Sequence, residues 1–138
     1  MESPSNATNS RWLAPETLAT VLYSSKSDVW SYGIVMFEIF SDGTVPYENV
    51  QVEGLRNKRQ TRNELQNLKE VRKKVLKEGL RVTPPETMSR EDQVIMQLCF
   101  TQDPANRWTF EELKEKYNHI GEQKEEEKYR LRVFSSHE

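Results

Sequence analysis

Apolar residues along this chain gather into a few segments separated by long polar stretches, and their spacing is helical throughout. Residues 1–10 are polar and rich in Ser and Asn, and read as a disordered leader. Trp12-Leu13-Ala14-Pro15 opens the ordered part, and Pro15-Glu16-Thr17-Leu18 fits a short helix with proline in its first turn. With Ser25 or Ser27 as cap and Asp28 in the favourable first turn, Val29, Trp30, Gly33, Ile34, Val35, Met36, Phe37, Ile39 and Phe40 follow. Apolar side chains then cover nearly every face, which predicts a central, buried helix from Ser27 to Phe40, stopped by Gly43. Pro46 to Gln60 is polar and irregular, and its part from Val50 onwards reads as a mobile excursion. Thr61-Arg62-Asn63-Glu64 is a capping-box pattern, after which Leu65, Leu68, Val71, Val75 and Leu76 keep one apolar stripe until Gly79. Val82 to Glu86, with Pro84-Pro85, is an extended connector. Ser89 caps a helix with Val94, Ile95, Leu98 and Cys99 on one face, and Asp103 to Asn106 is a turn. Thr109-Phe110-Glu111-Glu112 is a further capping box, before Leu113, Tyr117 and Ile120. Past Gly121 the chain is almost all charged to Lys128, then Tyr129-Arg130-Leu131-Arg132-Val133-Phe134, and reads as solvated helix or disorder. No segment has strand period and no repeat appears. The predicted fold class is all-α, with helices near 69–78, 90–100 and 110–120 packed around the central one.

Composition narrows the possible chemistry. The 138 residues hold 20 Lys and Arg against 22 Asp and Glu, a net charge of -2, so no basic excess points to nucleic acid. Lys and Arg do cluster at Arg56 to Arg62 and Arg72 to Lys77, but read as a solvated helix face. The longest apolar run, Gly33 to Phe40, is interrupted by Glu38 and is far too short to span a membrane. The Met1-Glu2-Ser3-Pro4 start has no basic or apolar signal region, so a cytoplasmic protein, or the cytoplasmic part of a longer receptor, is expected. Asn6-Ala7-Thr8 matches a glycosylation acceptor and, with no export signal, is read as chance. A single cysteine, Cys99, excludes an internal disulfide and fits a small core hydrophobe rather than a nucleophile. Together with His119 and His137 it falls short of the four ligands of a structural zinc site, so no metal site is expected.

Three segments carry more than spacing: Arg11-Trp12-Leu13-Ala14-Pro15-Glu16, then Ser27-Asp28-Val29-Trp30-Ser31-Tyr32-Gly33, then Leu98-Cys99-Phe100 with Asp103-Pro104-Ala105-Asn106-Arg107-Trp108-Thr109-Phe110. In this order and spacing they resemble the carboxy-terminal half of a eukaryotic protein kinase catalytic domain, whose named motifs include Ala-Pro-Glu. The resemblance spans residues 11–120. Arg11-Trp12 before Ala-Pro-Glu, Pro46-Tyr47, Glu78-Gly79-Leu80-Arg81, and Cys99 followed by aromatic Phe100 look like the tyrosine kinase subclass. Three features depart from the pattern. Phe100 stands where the family usually has Trp, Trp108 where it usually has Pro, and an insertion lies near residues 48–70.

The resemblance implies roles for particular positions. Arg11, Trp12, Leu13 and Ala14 would shape the pocket beside the acceptor tyrosine, although Trp12 also suits a plain core aromatic. Within the structural motifs Pro15, Glu16, Asp28, Trp30, Gly33 and Arg107, the Glu16 carboxylate would pair with the Arg107 guanidinium, the alternative being two unrelated surface charges. Asp28 would accept hydrogen bonds from the catalytic loop, or simply complement the helix dipole.

The same resemblance marks what this sequence does not hold. Phosphoryl transfer needs a glycine-rich phosphate cover, a Lys–Glu pair, a catalytic Asp with its Asn, and an Asp for Mg²⁺. Gly33, Gly43, Gly54, Gly79 and Gly121 are not spaced as a phosphate cradle, and neither His-Arg-Asp nor Asp-Phe-Gly occurs. No tyrosine precedes Tyr23, so the usual activation-loop phosphosite is missing too. No catalytic, cofactor-binding or metal residue is therefore assigned; ATP and Mg belong to the complete family domain, whose β-rich amino-terminal lobe is also lacking. The expected organisation is a leader over 1–10, a partial kinase domain over 11–120 and a charged tail over 121–138. The expected function is that of a catalytically inactive piece of a protein tyrosine kinase. The alternative is a stand-alone kinase-like lobe that binds a protein substrate or regulatory protein, with no nucleic acid and no membrane segment.

Overall fold

The computed structural model describes residues 9–50 and 60–135, with the side chains of 60–63 excepted. Residues 1–8 of the leader expected over 1–10, and most of the excursion expected from Val50 onwards, lie outside the described residues, while Asn9 and Ser10 belong to a helical turn. A 3₁₀ turn, Asn9–Trp12, is followed by α1 (Pro15–Thr20), α2 (Ser25–Phe40), α3 (Gln60–Lys77), α4 (Arg90–Leu98) and α5 (Phe110–Ser135). No strand occurs among the described residues. The fold is all-α.

Local chemistry sets the boundaries. Pro15 occupies the first turn of α1, where its missing N–H costs nothing, and Val21 closes the helix in the left-handed region at φ 60°. The cap of α2 is Ser24, one residue before Ser25 and three before Ser27, the two caps expected from sequence. Its Oγ accepts from the Ser27 N–H at 3.2 Å, while the Ser27 Oγ accepts from the Ser24 N–H at 2.7 Å. Ser27 answers for the usual Glu or Gln of a capping box, so a Glu/Gln template misses this start. Gly43 (φ 82°) and Gly79 (φ 67°) end α2 and α3 in the left-handed region that glycine enters without strain. Ser89 caps α4 by accepting from the Asp92 N–H at 3.1 Å. Thr109 and Glu112 form the expected box at the head of α5.

The core gathers on α2. Val29, Trp30, Gly33, Ile34 and Met36 are buried, joined by Val71 and Val75 of α3, Ile95 and Met96 of α4, Cys99, Phe100 and Leu113. Gly33 is required by close approach: a Cβ there would lie 2.7 Å from Cys99 Cβ and 2.7 Å from the Phe100 ring. Three sequence expectations need correction. First, α2 is central but not buried on every side, because Tyr32, Val35 and Ile39 are exposed. Second, Val94 is exposed while Met96 faces the core, since α4 turns the 95, 96 and 99 positions inward. Third, Thr61 does not cap α3, which already includes Gln60 and Thr61, whereas α5 runs through Gly121 to Ser135, in keeping with the solvated-helix reading of the tail. A glycine costs a helix interior only about 1 kcal/mol, and its neighbours are mostly strong helix formers.

Candidate functional site

The residues expected to face a substrate run from the end of the 3₁₀ turn (Arg11, Trp12) to the cap of α1 (Ala14). The Arg11 guanidinium donates from one nitrogen to the Pro46 carbonyl at 2.8 Å and the Tyr47 carbonyl at 3.1 Å. Its partial burial disfavours the charged form, an effect opposed by the nearby Glu64 carboxylate. Trp12 donates its indole Nε1–H to Glu38 Oε1 of α2, and its carbonyl accepts from Ser31 Oγ at 2.8 Å. Leu13 is half-buried and lines a cleft of about 70 Å³ with Thr17, Leu18, Val21, Tyr23 and Arg72. Arg72 of α3 closes that side by donating to the Leu18 carbonyl at 2.9 Å. Ala14 is buried and supplies the cap position of α1. Arg11 and Trp12 are thus fixed by the 46–47 loop and α2.

Behind them sits an ion pair. Arg107 Nη2 lies 2.8 Å from Glu16 Oε1, and Nη1 donates to Glu16 Oε2 at 3.1 Å. The Arg107 side chain is 0% exposed and that of Glu16 20%. The remaining donors are used as well: Nε to the Thr101 carbonyl at 2.9 Å, Nη1 to the Lys26 carbonyl at 2.8 Å and Nη2 to the Gln102 carbonyl at 3.2 Å. Lys26 returns the contact, donating to the carbonyls of Pro104 and Arg107. This planar fork ties α1, the start of α2 and the α4–α5 connection into one unit.

Trp30 packs beside that unit. The guanidinium carbons of Arg81 and Arg107 lie 4.6 Å and 5.3 Å from its ring centroid, and Phe100 meets it edge-on at 5.0 Å. Arg81 is held by the Phe100 carbonyl at 3.0 Å and Gln102 Oε1 at 2.6 Å. Its burial and the neighbouring Arg107 charge disfavour protonation, against a favourable effect of Tyr47. Burial pushes the Tyr47 hydroxyl up to about 12. Asp28 is exposed in the first turn of α2.

Sequence reading assigned no role to Lys26, Ser31, Glu38, Arg72 or Arg81. A signal existed for Glu38, the single charge interrupting an otherwise apolar helix face. The others bond mainly to backbone carbonyls, and such partners leave no trace in residue spacing. The arrangement is a rigid frame around residues 11–16. The Cys99 thiol is buried, donates to the Ile95 carbonyl at 3.4 Å, and is pushed up to about 12 by burial. Among the described residues no group of three or more His, Cys, Asp and Glu side chains is placed to hold a metal ion, and no helix is long and apolar enough to cross a membrane.

Comparison with known proteins draws on the same residues. The family model described as "Protein tyrosine and serine/threonine kinase" matches residues 2–117. Over 106 residues the chain is 41% identical to vascular endothelial growth factor receptor 1 of Mus musculus, covering 77% of this chain and 7% of that protein. It is 36% identical over 110 residues to fibroblast growth factor receptor 2 of Dugesia japonica, covering 80% and 10% respectively. It is 38% identical over 100 residues to the tyrosine-protein kinase transforming protein Fps of avian sarcoma virus (strain PRCII), covering 72% and 16%. The chain therefore spans only a small part of the length of these relatives.

Proposed function

The chain belongs to the protein tyrosine and serine/threonine kinase family, and its helices are the helical portion of a kinase carboxy-terminal lobe; from that premise we propose that it is the peptide-side part of a protein tyrosine kinase domain and performs no phosphoryl transfer by itself. Over residues 11–120 it supplies the frame against which an acceptor polypeptide lies. Arg11, Trp12 and Leu13 form that surface with Ala14 buried beneath them, the Glu16–Arg107 pair holds it from behind, and protein substrates are the expected partners. In a whole family enzyme, bound ATP and Mg supply the phosphoryl group and its charge neutralisation. The residues in this chain do not fit that group, because no glycine-rich cover, Lys–Glu pair or Asp–Asn pair is present to receive it. A cytoplasmic location follows from the same reading.

One observation carries the proposal. Asp28, Tyr32, Val35 and Ile39 form a single exposed face of α2, the helix whose other faces organise the core. An apolar stripe on the central helix of a domain suits a surface that further chain covers. The second reading, a stand-alone lobe that offers this stripe to a regulatory protein, draws on the same face. Reading the coding sequence ahead of Met1 separates the two, since an in-frame His-Arg-Asp and Asp-Phe-Gly supports the first. The activity claim is tested by calorimetric titration of Mg-ATP into the purified chain beside a peptide phosphorylation assay. Neither signal is expected. Saturable ATP binding abolished by a point substitution within residues 11–120 would overturn the proposal.

A further inference from the structure

We propose that the cleft between the 44–50 loop and the 80–83 segment binds a small free carboxylic acid with an apolar body, its carboxylate held by Arg81 and Tyr47. The cleft measures about 270 Å³ and is separate from the one beside Leu13. Its walls are apolar: Phe37 near the end of α2, with Val50, Leu80 and Val82. Val82 is buried, and the other three are partly buried and pack on the helical core. The space would hold about nine waters at about 30 Å³ each, the volume of an acid of about eight carbons. Water against such walls is released with a gain when an alkyl chain takes its place.

The polar end of the cleft selects the head group. Among the described residues lining it only Arg81 and Glu48 are charged, and Glu48 stands exposed at the rim. Arg81 is half-buried, and no carboxylate pairs with it among the described residues. Its guanidinium lies on the Trp30 ring beside that of Arg107, whose own charge is met by Glu16. Its three bonds go to neutral acceptors, the Phe100 and Leu80 carbonyls and Gln102 Oε1, which leaves one hydrogen on each terminal nitrogen. A partly desolvated cation without a counter-ion favours an anion that can accept from it. Tyr47 adds a second donor. It is 9% exposed, its hydroxyl makes no hydrogen bond among the described residues, and it lies close enough to Arg81 to feel that charge. Burial keeps the hydroxyl protonated at neutral pH, so it donates. The same residue holds φ 58°, where a bulky side chain is strained, so the loop keeps this ring buried at a cost. An amine would be repelled by Arg81, and a neutral amide would forgo the charge.

Titration of octanoate into the 138-residue chain, followed by amide and side-chain NMR shifts, tests this. Saturable binding is expected with a Kd at or below about 1 mM. The shifts should centre on Tyr47, Leu80, Arg81 and Val82. Octanamide should bind at least about tenfold more weakly, because it lacks the charge. Tyr47→Phe should weaken octanoate about fivefold, and Arg81→Gln at least about tenfold. Arg81 also steadies Trp30, so if Arg81→Gln fails to fold, Tyr47→Phe decides: it removes one oxygen and keeps the ring. No saturable octanoate binding up to about 10 mM, octanamide bound as tightly as octanoate, or unchanged affinity in Tyr47→Phe would each overturn the proposal. So would shifts centred on Tyr32, Val35 and Ile39, which would mean that the acyl chain merely coats the exposed face of α2.

Discussion

Arg107 has almost every donor of its guanidinium engaged inside the protein, so its partner residues depend on it more than it depends on any one of them. Removing either member of the Glu16–Arg107 pair leaves a poorly solvated charge, and each single alanine variant should lose about 3–5 kcal/mol. The double variant should lose less than the sum, as measured by urea unfolding, because the second removal no longer orphans a charge. Additive losses would show that the pair acts through packing alone. Cys99 provides a second residue-scale prediction. Its thiol titrates near 9.0 when free of the fold and about 12 within it. Below the lower value both states hold the proton and stability is complete. Between the two values the unfolded chain ionises while the folded chain does not, so stability falls as pH rises through that window. The contribution of one such group is about 1.4 kcal/mol per pH unit. Cys99→Ala should flatten the first part of this alkaline loss, leaving the part that begins where Tyr47 titrates. An unaltered pH profile of urea midpoints would assign the loss elsewhere.

At the scale of elements, the helices with one stripe were the most legible. Leu68, Val71 and Val75 face the core of α3 as their spacing requires, and the Ser89 and Thr109 caps lie where the pattern puts them. The central helix was legible in position but not in exposure. Apolar periodicity reports which positions prefer burial, whereas the presence of covering chain decides which of them achieve it. Hence Ile34 is buried and Ile39 is not. Trp12 and Arg11 were singled out from the family motif, but their fixing by Glu38, Ser31 and the Pro46 and Tyr47 carbonyls belongs to tertiary geometry. Gly121 stands inside α5, its backbone helical, and a Cβ there would meet nothing within 4 Å. Gly121→Ala should therefore stabilise α5 locally by about 1 kcal/mol. Amide exchange over 121–135 should slow while that over α2 stays unchanged. Faster exchange would indicate a turn rather than a continuous helix at this position.

For the molecule as a whole, α2 separates what this chain does alone from what a larger domain would ask of it. Ile34 is fully buried against the other helices, whereas Ile39 is 71% exposed on the opposite side. Ile34→Ala should cost about 2–5 kcal/mol in this chain, by lost burial and the cavity left behind. Ile39→Lys should stay within about 0.5 kcal/mol, because no packed contact is removed. It should also lower binding of an apolar dye and reduce non-specific association, since it shortens the stripe formed with Tyr32 and Val35. Placed within a longer kinase polypeptide that covers this face, the ordering changes. Ile39→Lys then buries an unpaired ammonium and becomes as damaging as the core truncation. Comparing urea midpoints of Ile39→Lys in the short chain and in such a longer polypeptide thus reads directly whether the stripe is an internal seam. Equal tolerance in both would mean that the face stays open to solvent, and the reading of this chain as part of a larger folded domain would lose its main support.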